Sequence, residues 1–237
     1  MNIKVILFDL DGTLLPMDTS KFTNTYFGLL AKKLAPYGYE TNKLISSIWS
    51  GTVAMIKNDG LQTNEQVFWN HFVKIYGEES KKDYPHFEEF YINDFDKIKP
   101  SCGFNSKVPE TIKKLKKLGF RLALATNPIF PAIATQKRIS WAGLTTNDFE
   151  FYTTYENSYH CKPNLEYYKD ILNKLNIKAE ECLMVGNDVA EDMIASELGI
   201  NVFLLTDCLI NKENKDISNI PNGNFNDLLN YIISSKK

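Results

Sequence analysis

Short apolar runs and longer amphipathic runs alternate along the chain, and their periods separate strands from helices. Residues 4–8, 121–125, 149–153, 181–185 and 200–205 are mostly apolar with little polar alternation. Runs of this kind are typical of strands that are covered on both faces, as in a parallel sheet. We therefore expect five such strands.

Apolar residues at helical spacing fill two parts of the chain. Between residues 16 and 99 they predict four helices, near 19–34, 44–56, 67–75 and 84–95, with no strand among them. Beyond residue 100, helices near 109–118, 131–143, 163–175 and 226–233 alternate with strands. Alternation of this kind is typical of α/β proteins. Thr19 and Ser20 are the candidate caps of the first helix, and Pro163 suits the first turn of the seventh helix. Residues 212–224 are expected to form a polar connection.

The two patterns together predict an α/β protein with two parts. A Rossmann-like parallel sheet core takes residues 1–15 and 100–237, and an α-helical cap domain is inserted as residues 16–99. The insert is rich in aromatic residues. Packing inside a small helical bundle is the commoner reason for such residues, and a substrate pocket is the alternative.

Composition narrows the possible partners. The 237 residues are 43% hydrophobic and 24% charged with a formal net charge of -2, which gives no bias toward nucleic acid or anionic membranes. No apolar run reaches transmembrane length, and the N-terminus enters a strand at once. The four cysteines lack disulfide-like or zinc-like spacing, which favours free thiols in a reducing compartment. We expect a cytoplasmic monomer or small homo-oligomer with no nucleic-acid or membrane partner.

Polar side chains cluster where the predicted strands end. Asp9 and Asp11 follow the first strand, Thr126 and Asn127 follow the second, and the sequence GNDVAED occupies 186–192 after the fourth. The carboxyl ends of parallel strands meet at one edge of the sheet, where α/β proteins bind ligands. Two carboxylates one residue apart at that edge predict a metal and phosphate site.

These segments, with the dipeptide Lys162-Pro163, resemble the four motifs of the haloacid dehalogenase (HAD) superfamily of phosphohydrolases, in the same order. The resemblance covers residues 1–14 and about 101–205, and the insert resembles the helical cap that such enzymes often carry after the first motif. It implies a magnesium-dependent phosphatase that hydrolyses a small phosphorylated metabolite through an aspartyl-phosphate intermediate. It does not identify the metabolite.

The resemblance also implies roles for the matching residues. Asp9 is the expected nucleophile, and Asp11 is the expected general acid and base. Neutral and cationic donors at the sheet's edge are expected to bind the substrate phosphate: Thr126, Asn127 and Lys162.

The expected Mg²⁺ ligands are the Asp9 carboxylate, the Asp11 main-chain carbonyl and Asp188, with Gly12, Asn187 and Asp192 in support. Many family members have an aspartate directly after the glycine of the fourth motif, whereas this chain has Asn187 there. The inner ligand within this turn therefore stays open among Asn187, Asp188 and Asp192, and Asp188 is preferred.

Three other functions were weighed against the phosphatase. Dehalogenases of this superfamily lack the second acid, so Asp11 disfavours that activity. A phosphomutase shares all four motifs and stays open. A non-catalytic phosphate-binding or partner-binding module is disfavoured because the acids and the lysine are all present.

Overall fold

The computed structural model describes residues 2–234, and its centre is a six-stranded sheet in which all neighbours are parallel. The strand order is β3-β2-β1-β4-β5-β6, so β1 lies between β2 and β4. This confirms the predicted α/β parallel sheet. The strands are β1 Val5–Phe8, β2 Arg121–Leu124, β3 Phe151–Tyr152, β4 Cys182–Gly186, β5 Asn201–Leu205 and β6 Asn222–Gly223.

Helices fill the insert and cover both faces of the sheet. Within residues 2–234, none of them combines the length and the apolar character needed to cross a bilayer. The α-helices are α1 Thr19–Leu34, α2 Thr41–Ile56, α3 Asn64–Tyr76, α4 Tyr84–Asn93, α5 Lys107–Lys117, α6 Ala132–Trp141, α7 Leu165–Leu175 and α8 Phe225–Ser234. Short 3₁₀ helices occur between them, among them Phe95–Ser101 and Met193–Leu198.

Strand β1 is apolar throughout because both of its faces are covered. Ile6 and Phe8 belong to one apolar cluster, and Val5 and Leu7 belong to another on the opposite face. All four side chains are fully buried. The absence of polar alternation in this segment follows from this double coverage.

The structure departs from the sequence prediction at the start of two helices. Helix α1 is capped by Asp18, whose side chain accepts a hydrogen bond from the Lys21 amide at 3.0 Å, and not by Thr19 or Ser20. An aspartate is as good a cap as a serine, and Asp18 lies one residue before the two predicted caps.

Pro163 is the second departure at a helix start. It precedes α7 instead of lying in its first turn, and Asn164 is the cap. The Lys162-Pro163 peptide bond is cis.

Strand β6 is an addition to the prediction, because it lies inside the segment expected to be a polar connection. It has two residues and pairs with the end of β5. Because this strand is held by main-chain hydrogen bonds and has no apolar side chains, the hydrophobic pattern of the sequence does not indicate it.

The insert enters and leaves the core through two adjacent segments. Met17 and Cys102 form an antiparallel bridge, and the Gly103 amide donates to the Pro16 carbonyl at 2.7 Å. Apolar residues of α1–α4 belong to the same cluster that covers one face of the sheet. The division into a core and a cap of residues 16–99 stays a prediction, because the apolar packing is continuous across it.

Candidate active site

Three strand ends meet at one edge of the sheet. Phe8 is level with Leu124 on one side and with Val185 on the other. The Asp9 amide donates to the Val185 carbonyl at 2.9 Å, and the Ala125 amide donates to the Phe8 carbonyl at 2.7 Å. The residues that follow the three strands therefore share this edge.

The Asp9 carboxylate is held through both oxygens. Lys162 Nζ donates to Oδ1 at 2.9 Å, and Thr13 Oγ1 donates to Oδ2 at 3.2 Å. Asp9 is buried, and its two partners are buried with it. Its orientation is therefore fixed before any substrate binds.

Lys162 also binds a second carboxylate. Its Nζ lies 2.6 Å from Asp192 Oδ1, and Asp192 Oδ2 accepts a hydrogen bond from the Asp188 amide at 3.0 Å. Burial by itself would lower the pKa of Lys162, but Asp192 and Asp9 reverse the effect and place that pKa well above its usual value. Burial raises the pKa of Asp192, and Lys162 opposes this shift. Lys162 is therefore a buried cation held between two carboxylates.

Asn187 faces the first motif. Its Oδ1 lies 2.8 Å from Thr13 Oγ1, whose single hydroxyl proton is shared with Asp9 Oδ2, and its Nδ2 donates to the Cys208 carbonyl at 2.7 Å. Gly12 lies so close to the Asn187 side chain that a Cβ added to Gly12 would be 2.4 Å from Asn187 Nδ2. The first and fourth motifs are thus in direct contact at this point.

Asp188, the preferred metal ligand from the sequence, points into its own turn. Its Oδ1 accepts hydrogen bonds from the Ala190 amide at 2.8 Å and the Glu191 amide at 3.0 Å. The structure therefore brings Asn187 and Asp192 to Asp9 and uses the Asp188 side chain to close a turn.

The residues around Asp9 offer oxygen atoms of the kind that Mg²⁺ prefers. The Asp9 carboxylate and the Asn187 amide oxygen both reach the Thr13 hydroxyl. Within residues 2–234, no group of three or more His, Cys, Asp or Glu side chains is placed to hold a metal ion. Mg²⁺ keeps several waters and needs only one or two protein carboxylates, so this oxygen set fits it.

Asp11 is paired with an arginine that the sequence analysis missed. Arg138, on α6, is buried and forms an ion pair with Asp11 Oδ2, while its guanidinium lies 4.6 Å from the Phe130 ring centroid. Asp11 Oδ1 is buried without a hydrogen-bond partner among the described residues. Burial raises the pKa of Asp11, Arg138 opposes that shift, and Asp9 adds to it.

A sequence signal for Arg138 did exist. Helical periodicity places it on the buried face of α6 with Ala134 and Trp141. A charged residue on such a face requires a partner, although the sequence does not say which one.

The second strand end supplies Thr126 and Asn127. The Thr126 carbonyl accepts hydrogen bonds from Tyr167 Oη at 2.8 Å and Thr153 Oγ1 at 2.6 Å, which hold this residue at the end of the strand. Asn127 Nδ2 donates to Glu191 at 3.1 Å. Asn127 is thus bound to a carboxylate that the sequence analysis had not singled out.

The chain belongs to the haloacid dehalogenase-like hydrolases, because the profile of this family matches residues 3–198. This confirms the family that the four motifs resemble. The chain is also 26% identical over 200 residues to the pyrophosphatase PpaX of Halalkalibacterium halodurans, covering 84% of this chain and 82% of that protein.

Solved structures share the fold. A 2-haloacid dehalogenase from Pseudomonas syringae pv. Tomato DC3000 superposes with a TM-score of 0.66 at 19% identity, covering 99% of this chain and 100% of that one. The magnesium-bound HAD-hydrolase YfnB from Bacillus subtilis superposes with a TM-score of 0.56 at 17% identity, covering 98% and 99%. At these identities the likeness is one of fold alone.

The contact between Gly12 and Asn187 yields a first prediction. Gly12 has φ +82 and Gly199 has φ +81, but a Cβ at Gly199 would meet nothing within 4 Å. Gly12→Ala and Gly199→Ala should both lose about 1–2 kcal/mol from backbone strain. Gly12→Ala should lose about 1–3 kcal/mol more from overpacking, together with most of the activity. Urea unfolding and phosphate release would measure both effects, and equal losses in the two variants would contradict the close packing.

The buried ion pair yields a second prediction. Arg138→Met should lower the free energy of unfolding by about 2–3 kcal/mol, below the range for fully buried pairs because the Asp11 side chain is 31% exposed. In an Asp11→Asn background the loss should be clearly smaller. Lys137→Met, which breaks an ion pair with the exposed Asp96, is the control and should cost less than about 1 kcal/mol. Equal losses for Arg138→Met in both backgrounds would show that the pair is not the stabilising contact.

Proposed function

We propose that this hydrolase is a magnesium-dependent phosphatase that acts on a small phosphorylated metabolite through an aspartyl phosphate on Asp9. The observation that carries the proposal is the Asp9 carboxylate, fixed by Lys162 Nζ at 2.9 Å and Thr13 Oγ1 at 3.2 Å. A buried carboxylate beside a buried cation suits a nucleophile that attacks an anionic phosphoryl group.

The proposed reaction has two displacements at phosphorus. In the first, an Asp9 oxygen attacks in line, the bond from phosphorus to the ester oxygen breaks, and Asp11 gives its proton to that oxygen. In the second, Asp11 takes a proton from water, the water oxygen attacks phosphorus, and Asp9 and inorganic phosphate are released. The raised pKa of Asp11 supports its first role, that of proton donor. Lys162 and Thr126 bind the remaining phosphoryl oxygens.

The Asp9 carboxylate, the Asp11 main-chain carbonyl and the Asn187 amide oxygen would hold Mg²⁺, with Asp192 and Gly12 in support. When bound, the ion would neutralise phosphate charge. We place Asn187 ahead of Asp188 because Asp188 Oδ1 accepts from two amides of its own turn, whereas Asn187 Oδ1 and Asp9 Oδ2 lie at the same Thr13 hydroxyl.

The helices of residues 16–99 act as the cap in this proposal. Interdomain movement is described for the magnesium-bound YfnB. The paired segments at Met17 and Cys102 give this chain a narrow connection at which such movement would occur. We propose a cytoplasmic location, because the spacing of the four cysteines favours free thiols in a reducing compartment.

A phosphomutase is the alternative that shares every residue of this mechanism. It differs only in returning the phosphoryl group to an organic acceptor instead of to water. Release of inorganic phosphate, measured against isomerisation of the same ester, separates the two activities.

The third prediction concerns the nucleophile. Asp9→Asn should lower phosphate release from p-nitrophenyl phosphate by at least about 10³-fold, because the amide keeps the shape and loses the attacking oxygen. Its circular dichroism spectrum should match that of the wild type. Asp216→Asn, in an exposed polar loop, is the control and should keep wild-type activity. Near-normal turnover by Asp9→Asn would refute the mechanism.

The fourth prediction concerns the metal. Asn187→Ala should raise the Mg²⁺ concentration needed for half-maximal activity by about tenfold or more, and should weaken Mg²⁺ binding measured by calorimetry. Asp188→Ala should lower stability by about 1 kcal/mol through loss of a turn cap, with little effect on Mg²⁺. The reverse ranking in the binding experiment would restore Asp188 as the ligand.

A further inference from the structure

A cavity of about 210 Å³ lies beside the site, between helices of the insert and the segment 129–131 of the core. Asp11 is part of its lining. The cavity therefore adjoins the position at which Asp11 would protonate the leaving oxygen of an ester.

The walls of this cavity are aromatic and carry no cation. Phe22, Tyr26, Trp49, Phe68 and Trp69 line it, and no lysine, arginine or histidine among residues 2–234 does. Arg138 lies nearby but is already ion-paired with Asp11. A second phosphate or a carboxylate on the substrate would face aromatic rings and the Asp11 carboxylate, without a counter-ion.

Several hydroxyl groups of the lining are already paired. Tyr26 and Tyr91 share a hydrogen bond of 2.9 Å, and Thr52 donates to the Ile48 carbonyl at 2.9 Å. Burial raises the pKa of Tyr26 to about 12, so it is neutral at physiological pH. Asp11 Oδ1 and Trp69 Nε1 are buried in this lining without partners among residues 2–234, so the walls could pair one or two polar groups of a leaving group but not the several hydroxyls of a sugar.

The size of the cavity suits one ring. An apolar cavity of about 150 Å³ in another protein binds benzene. We infer that the leaving group is the alcohol of a phosphomonoester with one aromatic ring or a short branched alkyl chain, and that this chain disfavours pyrophosphate and phosphorylated acids or sugars. The inference rests on the proposed phosphatase activity.

A comparison of esters tests the inference. Benzyl phosphate and glycerol 3-phosphate both release a primary alcohol, so their chemical reactivity is similar, and 2-phosphoglycolate, pyrophosphate and phosphocholine complete the set. With the full chain and Mg²⁺, kcat/KM for benzyl phosphate should exceed that for each of the others by about 10–100-fold, from burial of one ring.

Two cavity variants and one control sharpen the test. Trp49 is 49% exposed, so Trp49→Ala should fold, and it should lower the ratio of kcat/KM for benzyl phosphate to that for glycerol 3-phosphate by about tenfold. Thr23→Lys places a cation in the wall and should shift the preference toward 2-phosphoglycolate. Phe104→Ala removes an exposed aromatic side chain outside the cavity and should leave every ratio unchanged.

Binding of a non-hydrolysable analogue separates the two proposals. 2-Phenylethylphosphonate, in which a methylene replaces the ester oxygen of benzyl phosphate, should bind at least about ten times more tightly than 3-phosphonopropionate in calorimetry. If it does and no ester is hydrolysed, the phosphatase proposal fails and the cavity assignment stands. If phosphate is released but 2-phosphoglycolate, pyrophosphate, glycerol 3-phosphate or phosphocholine is preferred over benzyl phosphate, the cavity assignment is overturned and the phosphatase stands.

Discussion

The buried ammonium group of Lys162 is the interaction on which the arrangement of the site depends. A cation closed off from water requires anionic partners, and it has two, Asp9 at 2.9 Å and Asp192 at 2.6 Å. These carboxylates follow β1 and β4, which are neighbours in the sheet. The pairing of β1 with β4 and the ion pairs of Lys162 therefore both hold the Asp9 and Asp192 carboxylates in place.

Asp11 lies at the boundary between two environments with opposite chemistry. On one side are the charged and polar groups around Asp9, and on the other is a cavity walled by aromatic rings. Arg138 holds one Asp11 oxygen, while the other is buried without a protein partner. In the proposed mechanism, an acid at such a boundary would give its proton to the leaving oxygen of an ester whose organic group lies in the cavity.

The aromatic residues of the insert serve both packing and the cavity. Phe72 and Phe90 are fully buried and do not line the cavity, whereas Trp49 and Trp69 do. Phe22 stacks edge-on against Phe130 of the core, with ring centroids 6.1 Å apart. The cavity walls are therefore part of the contact between insert and core, and a movement of the insert would change the shape of the cavity.

The sequence by itself determined the fold class and which residues follow the strand ends, because periodicity and strand-end chemistry are local properties of the chain. It did not find Arg138, which is 127 residues from Asp11 along the chain. It preferred Asp188 to Asn187 without access to the direction of either side chain, which depends on how one turn packs against Gly12 and Thr13. These contacts, and the cavity, join segments that are distant in sequence, so only the tertiary structure decided them.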